Sequence, residues 1–226
     1  MTNRCNLTSE LIDYIETEIL PRYDAFDKAH NRTHATTVLV ESLRLAQHYD
    51  VNTAMVYAIA TYHDLGLVEG REHHHTASAR IMRKDERLKE LFTANEIEIM
   101  AEAVEDHRAS NNNPPRTIYG KIVAEADRII DSTTIMTRTI QYGLSHYPSL
   151  TETEHIQRAI AHIKEKYGKG GYMKLWIPES DNAERLKEFR TLIKDKQQLI
   201  ERLQQIYNEE KDGTIITERK CAFRQM

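Results

Sequence analysis

Thr53-Ala54-Met55-Val56-Tyr57-Ala58-Ile59-Ala60-Thr61-Tyr62-His63-Asp64-Leu65-Gly66 is the stretch whose reading decides the fold. The apolar run predicts a helix from about Thr53 to Asp64, with Gly66 just beyond it as a C-terminal stop. An imidazole and a carboxylate side by side are poor residues for finishing a buried helix. They are good residues for holding a divalent cation, one through a neutral nitrogen and the other through a charged oxygen. Further candidate ligands flank the pair in sequence: His34 upstream, then His73, His74, His75, His107 and Asp127.

Working outward, almost every segment reads as helix. Leu11, Ile15 and Ile19 recur at four-residue spacing between Ser9 and Leu20, and Pro21 is expected to end that helix. A second helix begins near Thr33 and presents His34, Val38 and Leu45 on roughly one face. After a polar turn containing Gly70, the triple histidine leads into a short helix through Ser78 and Met82. Thr93-Ala94-Asn95-Glu96 has capping-box form and opens a helix with Ile97, Met100, Ala101 and Val104 as its stripe, ending near His107. Asn111-Asn112-Asn113-Pro114-Pro115 is the clearest loop. Ile118, Ile122, Ala126 and Ile129 mark the next helix, with Asp127 on the flank of its stripe.

A second capping box, Thr151-Glu152-Thr153-Glu154, starts a helix toward Tyr167, and Gly168, Gly170 and Gly171 break the chain there. One long helix is expected from about Ser180 to Glu210, with Leu186, Phe189, Ile193, Ile200, Leu203 and Tyr207 as its seam. Such a seam could join two subunits as a coiled coil, although Lys196 falls within it and a stripe of this kind more often packs on its own domain. No internal repeat, low-complexity tract or convincing strand is visible. The fold class is all-α.

The totals set outer limits. A chain of 226 residues can bury a proper core, and a formal net charge of −4 argues against a general nucleic-acid binder. No apolar run approaches the ~20 residues needed to cross a bilayer. No secretory signal is visible, and Cys5 and Cys221 read as free thiols, so a cytoplasmic protein is expected.

Taken singly, each candidate ligand has an ordinary reading. Asp64 and Asp127 could cap a helix or pair with an arginine such as Arg128; His34 could be a capping or surface residue; His107 could be a satisfied core histidine. Together they are four helices each delivering one or two ligands near an end, which is how a helical bundle builds a metal site. His34, His63, Asp64 and Asp127 are enough for one ion. One residue of the triple histidine and His107 make enough for two, if Asp64 bridges them.

The segment from Thr33-His34 through Val38, the run Tyr62-His63-Asp64-Leu65-Gly66 and the phrase Lys121-Ile122-Val123-Ala124-Glu125-Ala126-Asp127-Arg128 together resemble the HD-domain superfamily of metal-dependent phosphohydrolases. The resemblance covers about residues 27–131. It implies an HD-domain-like helical bundle with a helical extension over about 132–210 and a tail over 211–226, within a single domain of 1–226. Carried over residue by residue, it makes His34, His63, Asp64 and Asp127 the core ligands and His107 a ligand of a second ion. His74 is the preferred sixth ligand among the three neighbouring histidines, because it stands four residues before Ser78, where the family places a small residue.

The implied activity is hydrolysis of a nucleotide or other small phosphate ester by a water activated on one or two divalent ions, with Fe, Mn, Mg, Zn, Ni and Co not distinguished. Asp64 belongs to the catalytic centre, Glu72 or Glu69 is a candidate acid or base, and Arg71 and Lys121 are the preferred cations for developing phosphate charge, with Arg108 and Arg128 behind them. His30, four residues before His34, could face the same way, although a solvent-facing histidine is the more ordinary reading. A di-iron oxygenase of the same fold and a non-catalytic metal-stabilised sensor or interaction module are the alternatives. A homodimer through the C-terminal helix is the one protein partner expected.

Overall fold

A computed structural model of the protein describes residues 7–27, 30–111 and 113–223, with side chains up to residue 212. Cys5 and the side chain of Cys221 lie outside the described part. Among the described residues there is no strand, and no helix is long and apolar enough to cross a membrane.

In chain order the first helices are α1 (Ser9–Tyr14), α2 (Arg32–Ala46), α3 (Thr53–Tyr62), α4 (His74–Lys84), α5 (Glu86–Leu91), α6 (Ala94–Asp106) and α7 (Ile118–Asp127). Every residue from Ala54 to Tyr62 is buried, so α3 has no face to give to water. It packs against α2, α6 and α7, and α4 packs on α6. Caps agree with the boundaries: Asn31 accepts from the amide of His34, Asn52 from that of Ala54, and Thr93 and Glu96 form the reciprocal capping box.

Three sequence expectations shift here. Pro21 does not end the first helix. α1 instead widens into a π-helical turn over Ile15–Ile19 and tightens into a 3-10 helix over Leu20–Ala25, whose first turn tolerates a proline lacking its N–H. Gly66 is not a left-handed stop; among the described residues Gly70 is the glycine with positive φ, 99°. The chain continues past Asp64 as a 3-10 helix over Leu65–Glu69, and Gly70 ends that. Finally, α7 stops at Asp127, which leaves Ile129 exposed and buries Ile130 in its place.

The chain forms two compact units. The first holds the residues up to Ile129 together with a returning segment, Lys174–Ser180. Glu125, fully buried in α7, holds that segment: it accepts from the amides of Trp176 at 2.6 Å and Ile177 at 3.4 Å, and from Ser180 Oγ at 2.5 Å. Three donors are what a buried carboxylate needs in place of water.

The second unit holds Ile130–Met173 and the chain from Asp181 onward. Its helices are α8 (Ser132–His146), α9 (Glu152–Tyr167), α10 (Asn182–Lys194) and α11 (Lys196–Phe223). The expected single helix over 180–210 is therefore two. Asp195 interrupts it, because its carboxylate accepts from the amide of Gln198 and so caps a new helix. The break also resets the stripe: Leu199, Leu203, Ile206 and Tyr207 are buried within the unit, whereas Ile200 is exposed.

Candidate metal centre

Three of the candidate histidines are aimed by the same local device. His63 Nδ1 lies 2.7 Å from the carbonyl of Ala60, His74 Nδ1 2.8 Å from that of Arg71, and His107 Nδ1 2.6 Å from that of Val104. A carbonyl only accepts, so each Nδ1 carries a proton and donates it three residues back along the chain. In the neutral ring this leaves the lone pair on Nε2, the nitrogen facing inward. The device works because each residue sits at a helix end: His63 and His107 follow the last residues of α3 and α6, and His74 opens α4.

The inward atoms form two groups, each within 4.8 Å: His34, His63 and Asp127 in one, and Asp64, His74 and His107 in the other. His34 Nε2 stands 3.3 Å from His63 Nε2, and His74 Nε2 stands 3.2 Å from His107 Nε2. Asp64 links the groups. Its Oδ2 is 3.6 Å from His34 Nε2 and 3.2 Å from His63 Nε2; its Oδ1 is 3.4 Å from His74 Nε2 and 3.5 Å from His107 Nε2. Asp127 Oδ1 faces His34 Nε2 at 3.2 Å and His63 Nε2 at 3.9 Å. The six residues named from the sequence are thus brought together, and of the triple histidine His74 is the member included. His73 is 78% exposed at its side chain, and half-buried His75 belongs to neither group.

The electrostatics are those of a site short of positive charge. Burial opposes ionisation of both carboxyls, but His63, His107 and His34 hold Asp64 well below the usual carboxylate range, and His34 and His63 hold Asp127 low. Burial pulls His34 down, yet hydrogen bonds to Asp127 and Asp64 outweigh it and push its pKa up to about 9. His107 is raised in the same way by Asp64, against its burial. His74 goes the other way, down to about 4, through burial and the neighbouring His107. Two pairs of inward nitrogens cannot all keep lone pairs against two carboxylates without either protons or cations between them. Four imidazole nitrogens and two carboxylates are a donor set that fits divalent transition ions.

Residues 32–130 match the family model of the HD domain. The chain carries an HD domain. The matched segment runs from just before His34 to just after Asp127 and so includes all six donors. Comparison of the chain with curated proteins and with solved structures found no match.

Around the HD-domain site the remaining candidates are placed unevenly. Arg71 is 65% exposed; its Nη2 donates to His30 Nε2 at 3.2 Å, and its own carbonyl receives His74. His30 is not the solvent-facing histidine the sequence suggested. It donates from Nδ1 to Asp27 at 2.8 Å, and its ring lies 5.9 Å from that of His34. Glu72 is 85% exposed at its side chain, and Glu69 pairs with Arg80. Arg108 donates to the carbonyl of Glu72, and Arg128 donates to that of Ala124 beneath the Trp176 ring. Lys121 is half-buried on α7 and, like Arg71 and Glu72, belongs to neither group of donors.

Two supporting roles escaped the sequence reading. Gly66 lets α4 lie directly on the turn after the His-Asp pair: its amide donates to Ser78 Oγ at 2.7 Å, and a Cβ there would meet the carbonyl of His74 at 2.1 Å. Tyr23 lies behind Asp64, fully buried. Neither contact has a local signature, since the partners are distant in sequence.

Proposed function

We propose that the protein is a metal-dependent phosphohydrolase acting on a nucleotide or another small phosphate ester, with two divalent ions held by the HD domain. His34, His63 and Asp127 would hold one ion and His74 and His107 the other, with Asp64 shared between them. The observation that carries this reading is the placement of Asp64: one oxygen faces His34 and His63, the other faces His74 and His107. A single-ion site would have no use for the second pair.

Bound there, divalent ions supply hydroxide from water near neutral pH and a Lewis acid for phosphoryl oxygens. The chain's own residues do the rest. The carbonyls of Ala60, Arg71 and Val104 keep three imidazoles in the tautomer with Nε2 free. Arg71, braced by His30 and Asp27, offers a guanidinium at the edge of the site, suited to a bidentate phosphate contact. The acidic balance of the chain favours a small substrate over a long polyanion.

The test is metal analysis of protein purified without chelator, with phosphate release from p-nitrophenyl phosphate and from nucleotides measured alongside. Two ions per chain are expected in the wild type, one in His107→Ala and close to none in Asp64→Ala, with hydrolysis lost in both variants. A single ion unaffected by His107→Ala would reduce the site to four ligands. Iron with oxygen uptake and no phosphate release would replace hydrolysis with oxygenation.

A further inference from the structure

To place two consecutive side chains in one site, α3 must give up its regular ladder at His63-Asp64. In an unbroken helix the amide of Asp64 would donate to the carbonyl of Ala60, and the carbonyl of Thr61 would accept from the amide of Leu65. Here the carbonyl of Ala60 receives His63 Nδ1 at 2.7 Å. The amide of Asp64 donates instead to the hydroxyl oxygen of Tyr23 at 3.3 Å, and that hydroxyl donates onward to the carbonyl of Thr61 at 2.9 Å. One phenol thus bridges a donor and an acceptor that the helix end leaves over. Tyr23 itself is fully buried, edge-on to Phe26 at 5.4 Å, with its ring 6.3 Å from that of His63.

We propose that Tyr23 is a positioning residue for the His63-Asp64 pair: its hydroxyl stands in for the lost helix bonds and fixes the backbone from which Asp64 reaches both pairs of histidines. The proposal rests on the metal reading of the site. Without the hydroxyl the Asp64 amide and the Thr61 carbonyl are buried without these partners, and the turn is free to seek others. Asp64 would then lose the orientation that lets its two oxygens face opposite ways. Groups that orient ligands in this manner typically change metal affinity by about ten- to a hundredfold when removed.

Tyr23→Phe removes the bridge and keeps the ring. Tyr62→Phe is the matched control: Tyr62 is also fully buried, but its hydroxyl binds Asp85 at 2.6 Å and touches no candidate ligand. Each chelator-stripped protein is titrated with Mn2+ by calorimetry, and its melting temperature is recorded without metal. Tyr23→Phe is expected to bind Mn2+ about ten- to a hundredfold more weakly, with Tyr62→Phe binding as the wild type does even where its melting temperature falls as far. Equal Mn2+ affinity in Tyr23→Phe and wild type overturns the role of Tyr23 alone. A wild type that takes up no Mn2+ overturns the metal reading and this proposal together. Hydrogen exchange at the Asp64 amide of the metal-free wild type, which needs no variant to fold, is expected to be as slow as in the middle of α3; rapid exchange there also overturns it.

Discussion

Without metal, His34 is pulled in two directions, and the balance sets how the protein responds to pH. Burial favours the neutral ring, but Asp127 at 3.2 Å and Asp64 at 3.6 Å favour the charged one and carry its pKa from 6.5 to about 9. A folded-state pKa raised above the unfolded value stabilises fully below pH 6.5, and that contribution disappears as pH rises through 9. His107, also raised, acts in the same sense. His74, lowered to about 4, acts oppositely: the unfolded chain takes its proton first as pH falls below 6.5, so stability declines on that side. The metal-free protein is therefore expected to be most stable close to pH 6.5, falling on the alkaline side by up to about 1.4 kcal/mol per pH unit per proton. Thermal melts of chelated protein from pH 5 to 10 would check this, with His34→Asn flattening the alkaline limb. A melting temperature unchanged between pH 6.5 and 9 would sink the argument. Because cations compete with the same proton on His34, metal affinity should climb across the same alkaline range.

Among the elements, the contact between α4 and the 3-10 turn over Leu65–Glu69 controls whether the second group of donors forms. α4 carries His74 and lies on Gly66 so closely that a methyl group would stand 2.1 Å from the His74 carbonyl and 2.5 Å from the Ser78 amide. Both atoms are backbone, so α4 as a whole must retreat. Gly66→Ala is expected to cost about 1–3 kcal/mol, and to drop bound metal from two ions to one as His74 is drawn off Asp64. A Gly66→Ala protein that keeps two ions would show that α4 does not set the position of His74. The same element marks what was legible in the sequence. Periodicity and caps located most of the helices, because burial of a stripe and satisfaction of terminal amides are local in sequence, but α5 and α8 were not singled out. Five of the donors were legible as candidates because imidazole and carboxylate gathered at the ends of several helices suit a metal site, whereas His74 was singled out from its two neighbours only by the resemblance to the HD-domain superfamily. Gly66 was visible only as a stop, since the helix that presses on it comes from eight or more residues later. The break at Asp195 was hidden by a stripe that continues in kind, Leu199 replacing Ile200, so only the cap reveals it. Tyr23 was hidden for a similar reason: its partners, Thr61 and Asp64, lie far along the chain.

At the scale of the whole molecule, the six donors come from α2, the end of α3, the start of α4, the end of α6 and the end of α7, all in one of the two units. An unfolded chain cannot gather donors so dispersed, so ions that bind them favour the folded arrangement almost exclusively. Such binding stabilises by about 2.7 kcal/mol when the free ion stands at a hundred times its Kd. That stabilisation opposes any opening that separates the five segments and is indifferent to openings that leave them together. The second unit, α8 to α11, supplies none of the donors. Its core is made independently, by buried residues such as Ile140, Ile163, Phe189 and Leu203. Adding Mn2+ to chelated protein should therefore slow hydrogen exchange in α2, α3, α4, α6 and α7, by up to about a hundredfold at that excess, and leave α8 to α11 unchanged. Peptide-resolved exchange measured by mass spectrometry reads the two units separately. A uniform slowing across both would mean that the molecule opens as one cooperative body, and the metal centre would then be a clamp on the entire chain rather than on the unit that builds it.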